Sequence, residues 1–165
     1  MKSLTQQLGN YAAYHRDRRN VMTHFVGIPL IVLAAAILLS RPTVAVGDLF
    51  VSPALIVAVA MIVYYLKLDL RYGLAMGVFL ALCLAIAGEI AEGSFASWLS
   101  WGIGLFATGW IIQFVGHYYE GRKPAFLDDV MGLAIGPLFV VAEAGFLLGL
   151  RKDVEAQINP AGLHN

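Results

Sequence analysis

Four apolar runs, at residues 23–39, 50–66, 72–88 and 98–117, dominate the chain. Each is close to the roughly 17–25 residues that a helix needs to cross a bilayer. A soluble core of 165 residues cannot hide that much apolar surface, because domains of this size leave much of their surface wet. Composition agrees: 59% of residues are hydrophobic and 13% charged, against about 25% charged in soluble domains. The expected architecture is an all-α membrane protein, a single helical domain over residues 1–165. Net charge is zero, so nothing points to nucleic acid, and the lone Cys83 excludes an intrachain disulfide or a CxxC zinc site.

The flanks of the runs refine this picture. The first twenty residues are polar and charged, a long lead-in for a cleaved signal peptide, so 23–39 reads as a retained span. Ser3 and Gln6 have the spacing of a capping box. Leu4, Leu8, Tyr11 and His15 then share one face of an N-terminal interfacial amphipathic helix. Asn20 reads as the break and N-cap before the next helix. With the N-terminus in the cytoplasm, Lys2, Arg16, Arg18, Arg19, Lys67, Arg71, Arg122 and Lys123 lie inside and only Arg41 outside. A full fifth crossing over 126–150 would put Arg151 and Lys152 on the wrong side. The reading is therefore four transmembrane helices plus a C-terminal re-entrant helical hairpin broken at Gly136-Pro137, with five spans as the alternative. Gly73/Gly77, Gly132/Gly136 and Gly145/Gly149 are small-xxx-small pairs that suit close helix packing in lipid.

This topology brings His15, His24 and His117 to one depth, the cytoplasmic boundary. Neutral imidazole is the commonest metal ligand, and three at one level suggest a metal site, although interfacial histidines also snorkel singly as tyrosines do. His15 and His24 are nine residues apart, on opposite faces of one continuous helix, so they share an ion only if the chain bends between them. Pro29 removes the helical bond to the Phe25 carbonyl beside His24. Glu120, three residues after His117, is a fourth ligand, an acceptor orienting an imidazole, or a solvated glutamate before Gly121. Glu143 stands in an apolar arm, where an ionisable group faces a partner or a cavity. His164 reads as a tail residue. Tyr14, Tyr118 and Tyr119 fit an interfacial belt, and Asp69 a loop beside Lys67 and Arg71. Four histidines are too few for a histidine-rich di-iron centre, and no G-x-S-x-G, HExxH or P-loop pattern is present.

At these residues the chain resembles the small membrane 2-hydroxy-fatty-acid dioxygenases of fatty-acid α-oxidation. Tyr14-His15, Asn20, His24 and Gly27-Ile28-Pro29 match the first block of that family's pattern. Gln113 through Ala125, with Gly116-His117, Glu120 and Pro124, match the second, and Gly136-Pro137-Leu138-Phe139 with Glu143 the third. The resemblance implies an iron(II) enzyme that shortens a 2-hydroxy fatty acid by one carbon using O2 without 2-oxoglutarate. His15, His24 and His117 would then be iron ligands, Glu120 and Asn20 orienting groups, and Arg18, Arg122 or Lys123 the holders of the substrate carboxylate. Partners would be the fatty acid, O2 and membrane lipid. Short loops and Ala/Gly-rich spans favour a bacterial inner membrane over the endoplasmic reticulum, with the metal site on the cytoplasmic side. Two other classes fit the same residues: a zinc-dependent lipid hydrolase, and a non-enzymatic membrane protein that binds or passes a small molecule.

Overall fold

A computed structural model describes residues 2–47, 49–124 and 127–158. His164 and Ala125, singled out above, lie outside the described residues. Among the described residues the chain is helical apart from one short hairpin. The helices are α1 (Leu4–Ala12), α2 (Arg18–Leu38), α3 (Pro53–Leu68), α4 (Leu70–Glu92), α5 (Phe95–Glu120), α6 (Met131–Leu147) and α7 (Lys152–Ile158). Strands β1 (Val44–Val46) and β2 (Leu49–Val51) pair antiparallel, Val44 opposite Val51. The second expected span, 50–66, thus starts later than its hydropathy suggests: residues 49–51 are strand, and Ser52 caps α3 by accepting from Leu55 N, with Pro53 in the first turn.

Three helices, α2, α4 and α5, are long and apolar enough to cross a membrane; α6 with α7 passes only as a pair bent by 118°. Helix α3 is apolar but has 16 residues, about 24 Å at the helical rise. The outward faces are what lipid would solvate. On α4, Leu70, Leu74, Val78, Leu82 and Ile86 recur every fourth residue and are all exposed, forming an apolar stripe along the helix.

The described residues group into two compact units, dividing α2 between Ile28 and Pro29 and α5 between Trp110 and Ile111. Within the unit of residues 29–110, α3 and α4 pack as a hairpin turned on a single residue. Asp69 is extended there; its N–H donates to the Tyr65 carbonyl and its carboxylate accepts from Tyr72 N at 3.0 Å, ending one helix and opening the next. The solvated loop acid expected at this position is instead a helix cap. Gly73 makes the hairpin tight: a Cβ there would meet the Leu66 backbone at 2.6 Å. Trp98 Nε1 donates to the Ile37 carbonyl at 2.6 Å, and Arg41 donates to the Ala91 and Gly93 carbonyls at the end of α4.

The other unit, the described parts of residues 1–28 and 111–165, holds α1, α6 and α7 with the start of α2 and the end of α5. The capping box forms as expected: Ser3 Oγ accepts from Gln6 N, and Gln6 Oε1 accepts from Ser3 N at 2.9 Å. The predicted α1 face, Leu4, Leu8 and Tyr11, is buried, and α1 packs on α6 and α7. That face is turned to protein rather than to lipid.

The expected break at Gly136-Pro137 is corrected by the structure, because α6 runs through Pro137 without interruption. An interior proline costs about 3 kcal/mol. Burial on both sides of it, by Ile135, Leu138, Phe139, Val140, Ala142 and Phe146, offsets that cost. The bend comes instead after Leu147. Gly149, at φ 72°, closes a Schellman motif in which Gly149 N donates to Phe146 O and Leu150 N to Gly145 O, both at 2.8 Å. Gly149 is therefore a helix stop and not half of a packing pair, whereas Gly136 is a true close approach, with the Tyr11 hydroxyl 2.9 Å from where its Cβ would be.

Candidate metal centre

Three short segments of one unit build the site. The chain leaves α1 at Ala12, turns through residues 13–17, and enters α2 at Arg18. This turn is the bend that His15 and His24 require. It lies earlier than Asn20, which is the third residue of α2 and not its cap. His15 leaves the turn with its Nδ1 2.7 Å from the Tyr11 carbonyl, and His24 repeats the pattern one helix later, with Nδ1 2.8 Å from the Asn20 carbonyl. A carbonyl only accepts, so each Nδ1 carries the proton and each Nε2 presents a lone pair. His117 comes from the last turn of α5.

The three imidazoles converge. Ring centroids lie 4.5 Å apart for His15 and His24, 5.2 Å for His15 and His117, and 5.3 Å for His24 and His117. One ligand nitrogen from each lies within 4.8 Å of the others, and all three residues are buried. His15 Nε2 and His117 Nδ1 are buried without a hydrogen-bond partner among the described residues, which costs about 1–3 kcal/mol apiece unless something binds them. Burial pushes the His15 imidazole down to about 4; the Tyr11 carbonyl opposes the shift, and the His117 ring adds to it. At neutral pH His15 is thus an uncharged donor. Three imidazole nitrogens this close together could hold a metal ion.

Glu120 does not join the donor set. Its carboxylate accepts from Arg16 N at 3.0 Å, Asp17 N at 2.8 Å and Asn20 Nδ2 at 3.1 Å. It thereby ties the end of α5 to the turn carrying His15 and to the open N–H groups at the start of α2, where an anion is favoured. Of the three expected carboxylate holders, Arg122 donates to the Ala13 carbonyl at 3.1 Å and Lys123 pairs with Asp128. Arg18 is exposed and has no ion pair among the described residues. Glu143 is buried on α6.

Several contributors were given no role at the site by the sequence reading. Tyr11 stacks on His15 with centroids 4.1 Å apart and planes 10° from parallel, and Phe139 of α6 lies 5.7 Å from the same ring. The i, i+4 spacing of Tyr11 and His15 was the available signal for the first; Phe139 reaches the site only through the packing of α6. Gly116 is the third: a Cβ there would sit 2.0 Å from Thr23 Oγ1 and 2.5 Å from Asn20 Oδ1. Tyr11 also walls a groove lined by Gln7, Asn10, Tyr14, Asp129, Met131, Gly132 and Ile135.

A family model described as 2-hydroxy-palmitic acid dioxygenase Mpo1-like matches residues 1–147. The chain is also 34% identical over 158 residues to the 2-hydroxy-palmitic acid dioxygenase MPO1 of Saccharomyces cerevisiae, covering 94% of this chain and 87% of the yeast protein. No solved structure matches. All three histidines and Glu120 fall inside the matched region, and the chain belongs to the Mpo1-like family.

Proposed function

We propose that the protein is an iron(II)-dependent dioxygenase that shortens 2-hydroxy fatty acids by one carbon. The observation that carries this is the buried convergence of His15, His24 and His117, in a chain whose yeast relative is named a 2-hydroxy-palmitic acid dioxygenase. The reaction balances with O2 as the only co-substrate: a 2-hydroxy acid and O2 give the acid one carbon shorter, CO2 and water. The four electrons that reduce O2 come from the substrate, so no 2-oxoglutarate is needed.

His15, His24 and His117 would hold the ion through neutral nitrogens, leaving its charge uncompensated and positions open for a chelating 2-hydroxy carboxylate. Bound there, iron(II) supplies O2 activation and Lewis acidity toward the hydroxy acid. The residues around it do the rest. The Tyr11 and Asn20 carbonyls hold the proton on Nδ1 of His15 and His24, so that their Nε2 atoms face the ion. Glu120 and Asn20 keep the turn and the helix ends in register. Arg18 takes the carboxylate at the water side, and the acyl chain lies along apolar helix faces. The basic residues flanking the spans would set this site at the cytoplasmic face, in a bacterial inner membrane.

The test is purification after iron supplementation, metal analysis, and O2 uptake on adding 2-hydroxypalmitic acid. The reading expects about one equivalent of iron, one O2 consumed per acid, and a C15 acid as product without 2-oxoglutarate. Turnover under argon would favour a hydrolase with zinc in the same ligands, and protein that holds no transition metal would refute both.

A further inference from the structure

Four buried side-chain polar atoms lack a hydrogen-bond partner among the described residues once those with other interactions are set aside: His15 Nε2, Asn20 Oδ1, Gln113 Nε2 and His117 Nδ1. All four lie in the unit that holds the triad. The two imidazole nitrogens belong to the triad itself. Asn20 Oδ1 rests against the backbone at Gly116, 2.5 Å from where a Cβ would stand. The Gln113 amide is left over, on a residue only 4% exposed. An amide donor buried without a partner is unfavourable by about 1–3 kcal/mol, so its retention calls for an acceptor that arrives with a ligand.

Its place identifies that acceptor. Gln113 and His117 are four residues apart on α5, so they share a face, with Cβ atoms roughly 5–6 Å from each other. Helical side chains lean toward the N-terminal turn, so the Gln113 amide lies about one turn deeper along this face than the His117 ring. Gln113 sits about 6 Å further along the axis from the water end of α5 than His117 does. A fatty acid enters this region with its carboxylate toward water and C2 next in depth. The carboxylate suits the exposed Arg18, whereas a neutral amide suits a neutral hydroxyl.

Building on the function proposed above, we propose that Gln113 Nε2 donates a hydrogen bond to the 2-hydroxyl oxygen of the bound acid and selects hydroxylated over plain fatty acids. A site built to meet a hydroxyl rejects the analogue lacking it, because its own donor is then stranded.

The experiment compares wild type with Gln113→Met and Gln113→Leu, all iron(II)-loaded under argon in one detergent. Metal content is measured, and equilibrium dialysis gives Kd for 2-hydroxypalmitic and palmitic acids. Both variants should keep the metal and bind palmitic acid as wild type does, while binding the 2-hydroxy acid about tenfold more weakly, the worth of one buried hydrogen bond. Undiminished preference in a folded variant overturns the inference alone. Loss of metal or of folded protein in both variants also overturns it, since the amide would then support the centre. A wild-type protein without preference for the 2-hydroxy acid overturns the underlying function as well.

Discussion

Replacing Glu120 by alanine tests how the centre is assembled, because this carboxylate joins segments a hundred residues apart without touching the metal position. It receives Arg16 N, Asp17 N and Asn20 Nδ2 at 2.8–3.1 Å. Buried hydrogen bonds to a charged group contribute about 1.5–3 kcal/mol each. The carboxylate is half-buried and water can replace part of what is lost, which brings the total to about 2–4 kcal/mol. Only a share of that reaches the ion, as a looser spacing of His15 and His24 against His117. Groups that orient ligands typically contribute 10–100-fold to metal affinity. Glu120→Ala should therefore weaken iron(II) binding about 10–100-fold, measured by competition with a calibrated chelator, with the helical content of the metal-free protein preserved. Glu120→Gln keeps a carbonyl able to accept from Asp17 N and Asn20 but loses the charge at the helix start, so its loss should fall within about tenfold. Wild-type affinity in Glu120→Ala would refute the clamp. A loss as complete as that of a histidine variant would refute its placement outside the donor set.

The remaining predictions are shorter. His15→Ala, His24→Ala and His117→Ala should each abolish stoichiometric metal binding, by elemental analysis, while circular dichroism stays helical; iron retained in all three would remove the site. Gly116→Ala should cost about 1–3 kcal/mol by overpacking and also lower metal affinity, because it displaces the Asn20 that Glu120 holds. Gly73→Ala, which drives a Cβ into the Leu66 backbone, should lower thermal stability by a similar amount and leave the affinity of the folded protein unchanged. The fourth concerns pH. His15 is depressed to about 4 in the folded protein from an ordinary 6.5, so between those values the unfolded chain binds the extra proton. The metal-free protein should lose up to about 3 kcal/mol as pH falls through that window, with no effect above it. His15→Gln should flatten this part of the Tm-against-pH curve.

Local rules read well where the chain obeys neighbours along the sequence. Hydropathy located the apolar runs, and the Ser3–Gln6 spacing announced a capping box that forms. The motif blocks named the three histidines that meet. The same rules misplaced features decided by packing. Pro137 has a breaker's chemistry, yet burial of Ile135, Leu138 and Phe139 around it keeps α6 continuous, and the bend moves to Gly149, whose positive φ ends the helix. Asn20 has a cap's chemistry, but the turn at 13–17 starts α2 earlier and leaves Asn20 to serve His24 through its carbonyl and Glu120 through its amide.

The sequence by itself determined a strongly apolar chain, with helical runs and histidines near their polar ends. Those properties depend on each residue's own transfer free energy and on spacings of three or four positions. Only the tertiary structure decided that Glu120 reaches back to Arg16 and Asp17, that Phe139 lies against His15, and that Gly116 admits the Asn20 side chain. Those contacts join residues about a hundred positions apart, and they form because packing a bundle brings distant faces together that no local pattern relates.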